Sequence, residues 1–484
     1  MKELLDDLEP KMLWRYFLEL SKIPRPTGKE QEAAEWVMDI GRKLGLEVKQ
    51  DAVGNVLILK PATPGKENNP VVCLQSHLDM VWEKDKDSDH DFTKDLLDIY
   101  RDGDIITARG TTLGGDNGIG VALGLSLLSS DDISHGPLEV LFTVQNESPL
   151  GTIGADNIQP GFLKAEYYIN LDAEIEGILI IGFAGDLDTI AERKVTMTSP
   201  RAGSTPYCLK VTGLRGGYSG LEINDGLGNA IRLLAQLLYS LRKKFQFELS
   251  SIKGGNRHNA IPHTASAIIF LDPADVAAIK KELDEHEAHW REAFGKFDPN
   301  ITFSLEKSEG DKVMSRQDFN SVVGMLLCGP HGMIAMSPVM DGLVQTSTNL
   351  GLVDTENEKV KLTYMTRSAL DKSKDALGER IEALLSLCGF EWKHIGGYPG
   401  WQPRPDSRLV KLTEETYYEI FKRPIRVTAV HAGMECCTIA NKFPGIEMVS
   451  LGPDVNDFHT TSETVTVSTT MRFWQLVRGL LERI

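Results

Sequence analysis

The feature that most restricts this fold is a series of short, largely apolar runs closed off by turn residues: Gly54–Leu59, Pro70–Leu74, Leu138–Val144, Tyr167–Leu171 and Ile446–Leu451. Runs so short and so uniformly apolar read as strands buried on both faces, because a strand with one wet face alternates. Apolar residues at helical spacing over Met12–Leu20, Gly28–Leu44 and Gly118–Leu128 place helices between them. The expectation is an α/β fold whose mostly parallel sheet is covered by helices on both faces.

The rhythm changes after Asp188. Cys208–Leu271 reads strand, helix, two strands, and Ile301–Thr366 reads the same way with a helix over Asp311–Leu327, a weak internal duplication of a smaller α+β unit. The Gly- and Pro-rich loop Gly396–Pro405 marks a boundary, after which strands and a final amphipathic helix resume the first style. A chain of 484 residues exceeds one ordinary core. We therefore expect a discontinuous catalytic domain (1–186 and 401–484) interrupted by an insertion (187–400).

A formal net charge of -17 repels phosphates and anionic lipid, which disfavours nucleic-acid and membrane-surface partners. The basic run Arg242-Lys243-Lys244 reads as a solvated helix end. Six cysteines, including the adjacent pair Cys436-Cys437, have no disulfide or zinc-knuckle spacing and read as reduced core residues. The first twenty residues lack a continuous apolar segment, and no later stretch has the length to span a bilayer, so the expected location is cytoplasmic.

Chemistry gathers where the apolar runs end. The second run leads into Ser76-His77-Leu78-Asp79, placing His77 at a carboxyl strand end, where open α/β sheets put their ligands. Asp79 can hold the other imidazole nitrogen, as partners of zinc-binding histidines do, although a satisfied polar loop explains His-x-Asp equally well. The third run leads to Asn146-Glu147, the fourth to Asp172, and the fifth to a loop bearing His459. Gly114-Gly115-Asp116-Asn117-Gly118 precedes a helix, and its glycines free the backbone beside a carboxylate able to bridge two cations or cap the helix. Two imidazoles and three carboxylates suit a pair of divalent ions, zinc first, with cobalt or manganese also compatible.

Several ordered motifs then carry a resemblance: SHLDM, HDFTKD, ARGTTLGGDNGIG, HGPLEVLFT, the LDAE run at Leu171, GLGNA, NAIP, TSTNLG and HAGMEC. The chain resembles the aminoacyl-histidine (Xaa-His) dipeptidases among the co-catalytic zinc metallopeptidases. That likeness implies a two-zinc site of His77, Asp116 (bridging), Glu147, Asp172 and His459, a lid domain in the insertion, a homodimer, and hydrolysis of small dipeptides ending in histidine. In the lid it implies substrate contacts from Tyr218, His258, Asn259 and Arg367, with Arg257, His431 and Glu435 as further polar candidates.

Two departures stand out. The family's paired glutamates, base then ligand, are here Asn146-Glu147, and a carboxamide cannot take a proton from water. Glu147 is therefore base or ligand, and the segment Ser148–Ile153 reads about two residues longer than usual. The family's Gly-Gly-His-Ser-Gly is here Gly216-Gly217-Tyr218-Ser219-Gly220, and Asn224 replaces another usual histidine. Catalytic candidates are thus Asp79, Asn146 and Glu147. The alternatives are an attenuated relative that binds metal and peptide, or a hydrolase of N-acyl amino acids.

Overall fold

The computed structural model describes residues 5, 7–148 and 153–484. The lengthened segment after Glu147 therefore falls, over 149–152, outside the described residues. The chain divides into two compact units, one of Met1–Gly182, Trp401–Ala429 and Met434–Ile484, the other of Phe183–Gly400 and Val430–Gly433.

The first unit is built on an eight-stranded sheet. Its centre is parallel: Val72–His77 pairs with Leu138–Thr143 on one side and Tyr167–Asn170 on the other, and the last of these pairs with Glu447–Ser450. The flanks are antiparallel, through Glu47–Gln50 and Val56–Lys60 at one side and Ile178–Phe183 at the other. All six residues of Val72–His77 and of Leu138–Thr143 are buried, which is why these segments show no apolar alternation. Helix Gly115–Leu128 is buried along its whole length and packs against helix Lys11–Leu20, which turns Leu13, Trp14 and Phe17 inward. Each fully buried Leu or Phe side chain of this kind contributes about 1.5–3 kcal/mol.

The second unit holds a nine-stranded sheet. Its strands run in the order Thr302–Lys307, Thr205–Thr212, Ala265–Leu271, Phe247–Gly254, Val344–Glu356, Lys359–Ser368, Gly185–Lys194 and Glu391–Tyr398, with Gly332–Met336 added beside Val344–Glu356. Here alternation is plain: Thr205–Thr212 turns Tyr207, Leu209 and Val211 into a core shared with Leu234 and Leu238 of helix Ala230–Arg242 and Val322 of helix Arg316–Cys328. The helix expected from Asp311 starts at Arg316 instead, because Val313–Met314 pairs with Met197–Thr198 and Ser315 caps the helix.

The cysteines depart from expectation in part. Cys73, Cys436 and Cys437 are buried, but Cys208 and Cys388 are half-buried and Cys328 is exposed, and all six are free thiols among the described residues. Among the described residues no helix is long and apolar enough to cross a membrane.

Candidate metal centre

Parallel pairing aligns strand ends. His77 lies opposite Thr143, Gln75 opposite Asn170, and Asn170 opposite Ser450, so four carboxyl ends share one edge of the sheet. Glu147 and Asp172 follow from two of them, and His459 stands on the loop beyond the fourth with a left-handed φ of 61°. Asp116 arrives from the turn ahead of helix Gly115–Leu128, where Gly114 has φ 71° and Asp116 itself is not helical. A Cβ on Gly114 would meet the Arg25 guanidinium at 2.5 Å, so the turn requires glycine on two counts.

The side chains converge. His77 Nε2 lies 2.8 Å from Asp116 Oδ1, and His459 Nε2 lies 3.0 Å from Asp116 Oδ2. The two oxygens of one carboxylate thus face two different imidazoles. His459 Nε2 is 3.1 Å from Glu147 Oε2, while His77 Nε2 is 3.8 Å from both Glu147 Oε1 and Asp172 Oδ2. His77, Asp116 and Glu147 each offer a ligand atom within 4.8 Å of the others, close enough to share an ion.

A surrounding frame fixes these groups. The carboxylate of Asp79 lies 3.4 Å from His77 Nδ1, which also meets the Asp79 carbonyl at 3.1 Å. The same carboxylate accepts the backbone N–H groups of Asn146 and Glu147, each at 2.9 Å, and the Thr27 hydroxyl at 3.0 Å. One buried Asp therefore orients an imidazole and anchors the loop carrying Glu147. Asn117 Nδ2 donates to Asp172 and to the Leu171 carbonyl. Glu463 accepts four backbone N–H groups, from Leu113, Gly114, Gly115 and Asp116, at 2.7–3.1 Å. Arg25 donates to the carbonyls of Leu78, Asp79 and Gly114.

Beneath this edge a polar chain crosses four strands. Ser450 Oγ donates to Asn170 Oδ1, Asn170 Nδ2 to Gln75 Oε1, and Gln75 Nε2 to Thr143 and Glu435. Burial raises the Glu435 carboxyl above its ordinary value, and the His77 charge and the nearby Asn146 amide offset only part of that.

The electrostatics are lopsided. Burial raises Asp172 well above the usual carboxylate range, and repulsion from Asp116, Glu435 and Glu147 adds to it. Burial, with Asp116 and Asp172 next, pushes Glu174 up to about 11. Burial lowers both imidazoles, but Asp172 and Asp116 carry His77 well above its ordinary value, and Asp116 and Glu147 lift His459 to about 10. Without ions, the crowded carboxyls are offset by the buried Arg25 guanidinium, by protons on the two imidazoles and by protons retained on Asp172 and Glu174, a deficit of positive charge. Carboxylate and imidazole donors with that deficit fit divalent cations.

Sequence reading did not single out Glu174, Glu463 or Arg25. Glu174 lay inside LDAE and Glu463 three residues past His459-Thr460, but their roles depend on which backbone or carboxylate folds beside them, which no spacing rule encodes.

The second unit gathers the other candidates. Arg367 is 2% exposed on Lys359–Ser368, donates from Nη2 to the Tyr218 hydroxyl at 3.2 Å, and leaves Nε and Nη1 without hydrogen-bond partners among the described residues. Its guanidinium carbon sits 5.4 Å from the Tyr218 ring centroid. His258 pairs through Nδ1 with Asp188 Oδ2 at 2.6 Å. The carbonyl of Asn259 accepts the Ser219 N–H, and Asn349 Nδ2 donates to the carbonyls of His258 and Ala260, which clamps that loop. His431 shares a 2.7 Å hydrogen bond with Ser347, whereas Glu435 belongs to the first unit.

Residues 209–299 match the peptidase dimerisation domain family. The chain is 36% identical over 481 residues to the cytosol non-specific dipeptidase of Escherichia coli (strain K12), covering 99% of each. The crystal structure of an aminoacylhistidine dipeptidase from Vibrio alginolyticus superposes with a TM-score of 0.95 at 35% identity, covering 99% of this chain and 98% of that one. An aminopeptidase from Bacillus cereus shares the fold at 16% identity, with a TM-score of 0.56 and 98% of each chain covered.

Proposed function

We infer the activity from the premise that this chain belongs to the Xaa-His dipeptidase family of metallopeptidases. It is a metal-dependent hydrolase of dipeptides that binds divalent ions. The finer reading is two zinc ions, with dipeptides carrying a carboxyl-terminal histidine as preferred substrates.

The observation that carries this reading is the pair of imidazoles facing opposite oxygens of Asp116. Glu147 lies nearer His459, at 3.1 Å, than His77, at 3.8 Å, so His459 with Glu147 would hold one ion and His77 with Asp172 the other, with Asp116 available to both. When bound, the ions supply Lewis acidity that polarises the scissile carbonyl and acidifies water. Asp79 keeps His77 Nε2 turned toward the site and stops the 146–147 loop from drifting. This engages Glu147 as a ligand and leaves the preceding position, Asn146, with an amide that accepts no proton.

Arg367, whose Nε and Nη1 have no hydrogen-bond partner among the described residues and whose charge faces Tyr398 and Asp186, would grip a substrate carboxylate, with Asn259 beside its clamped loop as a second donor. Tyr218 offers a hydroxyl to a developing oxyanion, and Asp188 holds His258 so that Nε2 is left for a substrate acceptor. A cytoplasmic homodimer is supported by the cytosolic relative and the matched dimerisation domain.

Hydrolysis of a dipeptide panel with zinc, cobalt or manganese, alongside N-acyl amino acids, tests the reading. Fastest turnover of Xaa-His dipeptides with zinc is expected, and preference for N-acyl amino acids would replace the substrate assignment. Asn146→Glu restores a carboxylate at the base position, and kcat is expected to rise about a hundredfold or more. An unchanged or lower kcat would show that proton transfer uses another group.

A further inference from the structure

The second unit contains a cavity of about 360 Å³ lined by Thr198, Arg201, Arg242, Gln246, Phe247, Glu248, Ser315, Arg316 and Phe319 among others. Three guanidiniums border it, and none has a carboxylate within ion-pair distance among the described residues. Among the described residues the Arg201 guanidinium hydrogen-bonds only the neutral Gln246 side chain, at 3.0 Å. Arg242 approaches two rings, its guanidinium carbon 5.9 Å from the Phe247 centroid and 5.7 Å from the Phe319 centroid. A guanidinium set against aromatic rings keeps its fork of N–H donors for an oxyanion.

The nearby acids are committed or outnumbered. Asp318 is taken by Arg193 at 2.7 Å, by Thr196 N–H and by the Ser315 hydroxyl. Glu248 accepts the Arg201 backbone N–H at 2.9 Å and stands alone against the three guanidiniums. Burial lowers Arg242, and the nearby Arg316 charge lowers it further, with Glu248 offsetting part of that repulsion. Helix Arg316–Cys328 also begins here, and the Arg316 and Gln317 backbone N–H groups have no acceptor among the described residues.

We propose that this cavity is a phosphate-binding site, separate from the metal centre, in which Arg201, Arg242, Arg316 and the first turn of helix Arg316–Cys328 hold a phosphoryl dianion. The volume admits a small organic phosphate as well as the free ion. Occupation cross-links three segments of the second unit: the loop after Met197–Thr198, the end of helix Ala230–Arg242, and the start of helix Arg316–Cys328. The bound anion is an effector that stabilises this unit and takes no part in hydrolysis, so the proposal stands apart from the dipeptidase reading.

The experiment is calorimetric titration of the metal-loaded protein, in chloride buffer, with inorganic phosphate and with glycerol 2-phosphate, paired with thermal melting. One saturable site is expected for at least one of them, and the tighter of the two identifies whether the free ion or an organic ester is the occupant. Arg242→Gln and Arg316→Gln should each weaken binding by about tenfold or more and remove the phosphate-induced rise in melting temperature, while dipeptide turnover without phosphate stays as in the parent. Absence of saturable binding overturns the proposal. So does binding that survives both substitutions, which places the anion on the metal ions instead.

Discussion

At the scale of single residues, His431 shows how burial sets a charge state. Burial, with the nearby Arg367 charge next, lowers its imidazole to about 3, so the folded protein holds it neutral. An unfolded histidine titrates near 6.5, so as pH falls below about 6.5 the unfolded chain takes up a proton that the folded chain refuses. Stability is therefore lost on acidification, by about 1.4 kcal/mol per pH unit for this one group, down toward its folded value. Urea unfolding at pH 7 and pH 5.5 checks this: His431→Gln should flatten the pH dependence by about that slope, and an unaltered slope would assign the acid sensitivity elsewhere. Residue-level chemistry was the most legible part of this sequence. His77, Asp116, Glu147, Asp172 and His459 come together, because each followed a short apolar run or a glycine turn whose position the sheet dictates. Glu435 was harder to place, since its partners Gln75 and Thr143 lie on two other strands.

Among the secondary-structure elements, the turn at 113–116 carries the largest demand. Four successive backbone N–H groups point inward, and the Glu463 carboxylate alone receives them. Glu463→Ala should destabilise the protein by about 3 kcal/mol or more, because four buried donors lose their acceptor. Glu463→Gln, keeping one acceptor oxygen, should cost less. Chemical denaturation ranks the two, and equal losses would mean that the charge matters and the acceptor count does not. Buried strands were legible as apolar runs, yet helix starts were not. The helix expected from Gly28 begins at Gln31, and the one expected from Asp311 begins at Arg316. Periodicity marks the face of a helix, whereas its first residue is set by caps and by pairings such as Val313–Met314 with Met197–Thr198. The parallel centre of the first sheet followed from doubly buried strands, but its antiparallel flanks carry no distinct sequence signature.

For the molecule as a whole, charge is the governing quantity. The chain carries -17, and a tight knot of that charge lies buried at one sheet edge where Asp116, Glu147 and Asp172 repel one another. Removing divalent ions with a chelator should lower the melting temperature of the first unit and leave the second nearly unmoved, giving two resolved calorimetric transitions. A cation present at a hundred times its dissociation constant stabilises its host by about 2.7 kcal/mol, and restoring zinc should return that amount. A single transition that ignores chelation would detach the acidic knot from any cation role.

The first unit draws on stretches either side of the second, and the residues that meet at Asp116 run from His77 to His459. During synthesis a ribosome releases His77 long before His459, so for most of translation the cluster around Asp116 lacks one imidazole. Until the last stretch has threaded back, His459 cannot meet Asp116. Because the first unit joins distant stretches of chain, its folding is expected to be slower than that of a unit built from local contacts, and a chain truncated before His459 lacks the second imidazole at Asp116.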